Sequence, residues 1–199
     1  MTIDPAHPAP GRLALVQRFA NTDDRYNGHD ELADPGQAAG WLVAHGLLAP
    51  YRRITAAELA ALHELRDAVR ELAASNGAGG GPPAPNVLAA FNRVSAAGPQ
   101  VVEIGTDDHG RPAAVSTPHD SGFAAVVARL TGAVHEAVLT GAWPRLKACA
   151  DPSCAWLFYD TSRSRTGRWC SMGACGSINK ARNYRRRSRD RAAIDGPLS

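Results

Sequence analysis

Apolar residues recur at helical spacing through most of the first 144 positions. Leu59, Leu62, Leu65, Val69 and Leu72 keep a three-to-four-residue interval, which places them on one face of a helix. TAAE at 55–58 stands in front of them. Thr55 is placed to cap and Glu58 to reach back, so a helix is predicted to about Ser75. A shorter helix is predicted over 13–20 (LALVQRFA). Another starts with Asp34 as cap and Pro35 at its first position, holds Trp41 and Leu42, and ends at Gly46. Two more run from Pro85 to Ala97 (Val87, Leu88, Phe91, Val94) and from Ser121 to Gly141 (Val126, Val127, Leu130, Val134, Val138). VVEIG and PAAVST flank Asp107-Asp108-His109-Gly110 and predict a β-hairpin near 101–117. NTDDRYNGHDE reads as a polar loop. SNGAGGGPPAP reads as a flexible surface loop, because its glycines neither follow a strand nor open a nucleotide-binding helix. The expected fold is mainly α with one small β-hairpin and no internal repeat.

Charge divides the chain. Residues 1–144 hold ten Lys and Arg against fifteen Asp and Glu, a net of −5. Residues 145–199 hold twelve against four, a net of +8. A basic end on an acidic body suggests a polyanion-binding module joined to something else. The change falls near Trp143-Pro144, which predicts a helical domain over 1–144 that folds alone, a second module over 145–191 and a tail over 192–199. No apolar run is long enough to span a membrane. The N-terminus lacks the basic and apolar regions of a secretion signal, so a cytoplasmic protein is expected.

The basic half also holds all four cysteines, as C-x4-C, fifteen residues, C-x4-C. Clustered thiols in a reducing compartment argue for metal rather than disulfides. Cys149, Cys154, Cys170 and Cys175 offer the four thiolates of a tetrahedral structural zinc site, which leaves no open position for catalysis. Four unrelated thiols, or a redox site from which oxidants eject the metal, are the other readings. Trp156, Phe158, Tyr159 and Trp169 lie around the cysteines, either as the small core that such a module needs or as platforms for bases.

After Cys175 a proline-free stretch predicts a helix carrying Lys180, Arg182, Arg185, Arg186, Arg187, Arg189 and Arg191, with Ile178 and Tyr184 turned towards the metal core. Arg163, Arg165 and Arg168 add charge from the loop between the cysteine pairs. Such a surface can sit on phosphates or enter a major groove. A solvated basic tail is the bland alternative. No nucleophile elbow, zinc-protease helix or nucleotide fingerprint is present, and the seven histidines are scattered without ligand spacing. An enzyme is therefore not expected.

The cysteine block, its WCSM and CG steps and the K-x-R-x-Y-x-x-R pattern resemble the CGNR zinc finger family of bacteria. LALVQRFANTDDR, Asp30, Leu32, AAGWLVAHGLL and LHELRDAVREL resemble the ABATE domain usually joined to that finger. The resemblance implies a stress-induced transcription regulator. Its finger would bind one Zn2+ and DNA. Its N-terminal domain would sense a small-molecule ligand or pair with a second copy. An RNA-binding or protein-interaction module without an operator is the alternative. One departure stands out: Ser177-Ile178 follows Cys175-Gly176 where the family has Asn-Arg. The ligands are kept, and Lys180 and Arg182 are the candidates to replace the missing contacts.

Overall fold

The computed structural model describes residues 7–77, 80–106, 109–182 and 184. Helix α1 (Leu13–Ala20) buries Leu13, Val16 and Phe19. The segment expected to be a plain loop contains two short strands, β1 (Asp23–Asp24) and β2 (His29–Asp30), paired antiparallel. Helix α2 (Pro35–Ala44) starts where Asp34 Oδ1 accepts the amides of Gly36 and Gln37 at 2.8 and 2.9 Å. It stops where Gly46 takes φ +67°, a backbone shape that favours glycine. Helix α3 (Ala56–Ser75) carries the expected capping box: Thr55 Oγ accepts from the Glu58 amide at 3.2 Å and Glu58 accepts from the Thr55 amide at 2.8 Å.

Helix α4 (Pro85–Ala96) buries Phe91 and Val94. Strands β3 (Gln100–Thr106) and β4 (Pro112–Pro118) form the predicted hairpin, with Val102 opposite Ser116. Helix α5 (Phe123–Leu139) buries Val126, Val127, Leu130 and Val134. Val138, expected on the same apolar face, is 55% exposed near the helix end. Two further strands, β5 (Leu146–Ala148) and β6 (Leu157–Tyr159), pair antiparallel in the basic half. No helix among the described residues is long and apolar enough to cross a membrane.

Helices α1, α3, α4 and α5 pack together, with the β3–β4 hairpin leaning on α5. Two arginines on α3 fix the segment after α1. Arg66 grips Asp30 with both Nη atoms at 2.6 and 2.8 Å. Arg70 donates to the Asp23 carboxylate and to the Ala20 carbonyl, each at 2.6 Å. Both arginines are buried, and buried charges persist where they are paired. That pairing is why a polar loop sits in one place.

The hydrophobic core does not stop at the charge break. Leu146 and Leu157 are fully buried members of the same cluster as Phe19, Leu62, Leu65 and Val69. Strand β5 packs on α3 and β6 on α1. Polar side chains close the seam. Asn76 donates to the carbonyls of Trp143 and Leu146, both at 2.9 Å, and Gln17 donates to the Leu157 carbonyl at 3.1 Å.

Candidate metal centre

The β5–β6 hairpin brings Cys149 and Cys154 together, with Cys149 donating its amide to Trp156 across the pair at 2.8 Å. Asp151 shapes the turn between them: its carboxylate accepts the Ser153 amide and hydroxyl at 3.0 and 2.7 Å, and its carbonyl accepts the Cys154 amide at 2.9 Å. Cys170 follows an extended return, tied to the first pair by the Ala150 amide on the Arg168 carbonyl at 2.8 Å. Cys175 sits in a wide turn over Met172–Gly176 that opens into helical backbone at 177–182.

All four Sγ atoms lie within 4.8 Å of one another, and none is in a disulfide. Cys154–Cys170 and Cys170–Cys175 stand at 3.7 Å. A tetrahedron with Zn–S bonds of about 2.3 Å has S–S edges of about 3.8 Å, so the thiols already have the spacing of zinc ligands. Their titration tells the same story. Hydrogen bonds from Cys154 and then Cys170 pull Cys149 down, while hydrogen bonding with Cys149 pushes Cys154 and Cys170 up. Four thiolates this close cannot all ionise without a compensating cation, and a divalent metal supplies it. The donor set is all sulfur and mostly buried, which fits one structural Zn2+.

Trp156 and the cysteines form a small cluster of their own, with Trp169 packed against it. Phe158 is 3% exposed and Tyr159 rests on the main core. These aromatics are packing residues here. Tyr184, expected to face the metal core, is 74% exposed; helical spacing alone did not fix which side of this short segment faces inwards.

The predicted cationic residues fall into three groups. Arg163, Arg165 and Arg168 are exposed on the loop between the cysteine pairs, with the Arg168 guanidinium 5.4 Å from the Trp169 ring centroid. Lys180 is exposed, and Arg182 donates to Asp151 at 3.2 Å. Arg185, Arg186, Arg187, Arg189 and Arg191 lie outside the described residues. Where the family has Asn-Arg, Ser177 donates to the Met172 carbonyl at 3.0 Å and Ile178 is half-buried. The next residue, Asn179, donates to Asp151 at 2.7 Å and to the Cys175 carbonyl at 2.9 Å.

The arrangement defines a helical body sharing its core with a four-cysteine metal finger. Residues 13–142 match the ABATE family model, described as "Putative stress-induced transcription regulator", and residues 145–188 match the CGNR zinc finger. The chain belongs to the ABATE family and carries a CGNR zinc finger. No curated protein matches it.

Proposed function

We propose that the chain is a zinc-dependent DNA-binding transcription regulator rather than an enzyme. One observation carries this. Between residues 145 and 184 the acidic residues are Asp151 and Asp160, and their side chains are only 2% and 4% exposed. Both are used internally, so the outer face of the finger is cationic without interruption. Such a face suits phosphodiester strands. Lys180, Arg182, Arg163, Arg165 and Arg168 contribute to it, and Arg185, Arg186, Arg187 and Arg189 add four more positive charges to the sequence that follows.

The helical body is the regulatory half in this reading. A cleft of about 670 Å³ between the β3–β4 hairpin and α5, lined by Gln100, Val102, Ala114, Gly132, His135 and Leu139 among others, supports sensing of a small, largely apolar molecule.

The test is selection of bound genomic fragments by the zinc-loaded protein, followed by anisotropy titrations at two salt concentrations. The selected duplex should bind tighter than a scrambled duplex, and both should bind tighter than single-stranded RNA. Equal, purely salt-dependent affinity for all three would favour a general nucleic-acid module without an operator.

A further inference from the structure

Strand β6 runs into Asp160, and the chain then loops through residues 161–167 before returning to Cys170. That loop is held by one buried ion pair. Asp160 Oδ1 accepts the Ser162 amide and hydroxyl at 3.0 and 2.6 Å. Its Oδ2 accepts Lys147 Nζ at 2.7 Å and the Gly167 amide at 2.8 Å. Lys147 Nζ also donates to the Arg165 carbonyl. From outside, Arg145 donates to the Asp160 and Ser162 carbonyls at 2.8 and 3.2 Å. The Lys147 and Asp160 side chains are 2% and 4% exposed.

Two backbone features show how tightly the loop is set. Arg165 has φ +53°, a left-handed shape that strains a residue with a Cβ and persists only where the surroundings impose it. The Lys147 contact to its carbonyl is such an imposition. At Gly167, a Cβ would lie 2.9 Å from the Asp160 carboxylate, closer than any side chain tolerates, so glycine is required for the loop to close.

A buried ion pair is a poor device for stability, because desolvating both charges offsets most of their attraction. What this one achieves is placement. Ser162, Arg163, Ser164, Arg165 and Thr166 all face solvent. Among the described residues, neither Arg163 nor Arg165 has a carboxylate partner, and the one nearby carboxylate is already neutralised by Lys147. Two guanidiniums and the hydroxyls of Ser164 and Thr166 are thus held outward on a stiff backbone, while the Ser162 hydroxyl is turned to Asp160. Guanidinium forks match phosphate oxygens, and groups ordered before binding lose little entropy on contact.

We propose that the 161–167 loop is a preformed clamp for the phosphodiester backbone, with Lys147, Asp160 and Gly167 as its positioning residues. This rests on the nucleic-acid role above and deepens it. The clamp sets the finger on the duplex without reading sequence, and it is separate from the stretch after Cys175.

The test uses the zinc-loaded full chain, a random-sequence DNA duplex and anisotropy across a salt series, with metal content and melting temperature measured for each variant. Arg163→Ala with Arg165→Gly removes two cations and leaves a residue that accepts the left-handed shape. The slope of log affinity against log salt should flatten by about 1.8, two phosphates at about 0.9 each. Asp160→Asn is the sharper arm. It makes the finger more positive, so charge alone predicts tighter binding, whereas loss of the clamp predicts weakening of about tenfold, the scale of one lost charge-assisted contact. If Asp160→Asn does not load zinc, Lys147→Met with Asp160→Asn removes both buried charges at unchanged net charge, so charge alone predicts unchanged binding and loss of the clamp predicts weakening. Gly167→Ala, which changes no charge, should weaken binding as well. An unchanged slope in the double arginine variant, or tighter binding by Asp160→Asn, overturns the clamp while leaving DNA binding intact. A parent protein with no salt-dependent binding overturns the nucleic-acid role beneath it, and the clamp with it.

Discussion

Asn21 brackets the backbone of Leu157. Its amide donates to the Leu157 carbonyl at 2.9 Å and its carbonyl accepts the Leu157 amide at 2.7 Å. The side chain at the end of α1 therefore satisfies both polar groups of a fully buried residue of the finger, as a neighbouring strand would. Asn21→Ala removes the partner of the Leu157 amide, at roughly 1–3 kcal/mol, and leaves the carbonyl with Gln17 alone. The melting temperature should fall by several degrees, since about 1 kcal/mol is worth about 2–4 °C in a chain of this size. Far-ultraviolet circular dichroism, reporting the helices, and tryptophan fluorescence should shift together. A shift in one signal alone would show that the seam does not couple the halves.

The same seam bears on truncation. The charge break suggests a body over 1–144 that folds alone, yet ending the chain near Gly141 removes Leu146 and Leu157 from the shared core. Each vacated site resembles a large-to-small core change, worth about 2–5 kcal/mol. The fragment should melt well below the full chain or associate through the exposed faces of α1 and α3. A monomeric fragment with the full chain's melting temperature would sink this expectation.

Much of this architecture was legible, because local rules set it. The capping box at Thr55 and Glu58, the cap at Asp34 and the hairpin around 101–117 follow from neighbouring residues, and the structure shows each of them. The four thiols were legible because one chemistry explains that spacing. What stayed hidden depends on partners distant in sequence. The pairing of Arg66 with Asp30 and of Arg70 with Asp23 joins residues 36 and 47 positions apart. Residues 146–148 and 157–159 are too short to announce strands, and their burial comes from α1 and α3. The charge break near Trp143-Pro144 falls between the two family matches, while the packing of Leu146 and Leu157 across it depends on distant partners that surface charge does not report.

Metal dependence follows from the sulfur geometry. Elemental analysis should find one zinc per chain, and Cys170→Ser should lose it. Structural zinc contributes apparent binding energies on the order of 10–16 kcal/mol in small fingers. Chelation should therefore unfold the finger and, through Leu157, lower the melting temperature of the helical body. A chelated protein with the parent's helical transition would separate the two halves energetically.

Acid should loosen the segment after α1. Burial pushes Asp30 up, but the Arg66 hydrogen bonds outweigh it and hold its carboxyl below the usual carboxylate range. Asp23 behaves likewise, with burial opposed by hydrogen bonds from Arg25 and Arg70. A carboxyl depressed in the folded state stabilises above its unfolded pKa and loses that contribution as pH falls through the folded value. Asp30→Asn should thus cost on the order of 3 kcal/mol at neutral pH, the low end for a broken buried pair because the Asp30 side chain keeps 27% exposure. The gap between parent and variant should narrow below about pH 4, where the unfolded chain begins to protonate. Urea titrations over a pH series check this, and a constant gap down to strong acid would contradict it.

Arg182 and Lys180 divide the two tasks expected after Cys175. Arg182 donates to Asp151 at 3.2 Å, and Asp151 also accepts Asn179 and Ser153. One carboxylate thus ties the first cysteine turn to the helical backbone that follows the last cysteine. Arg182→Ala removes one of several ligands from that carboxylate. The effect should be a small drop in finger stability and a similar, modest loss of affinity on every DNA sequence, because the helix is oriented less firmly. Lys180 is exposed and has no carboxylate partner among the described residues. If it reaches a base edge, Lys180→Ala should cost about 1–3 kcal/mol on the selected duplex and little on a scrambled one, with zinc content and melting temperature unchanged. Measured on both duplexes, the two variants give opposite patterns. A sequence-selective loss in Arg182→Ala with none in Lys180→Ala would reverse the assignment and make the Asp151 contact a resting position that DNA displaces.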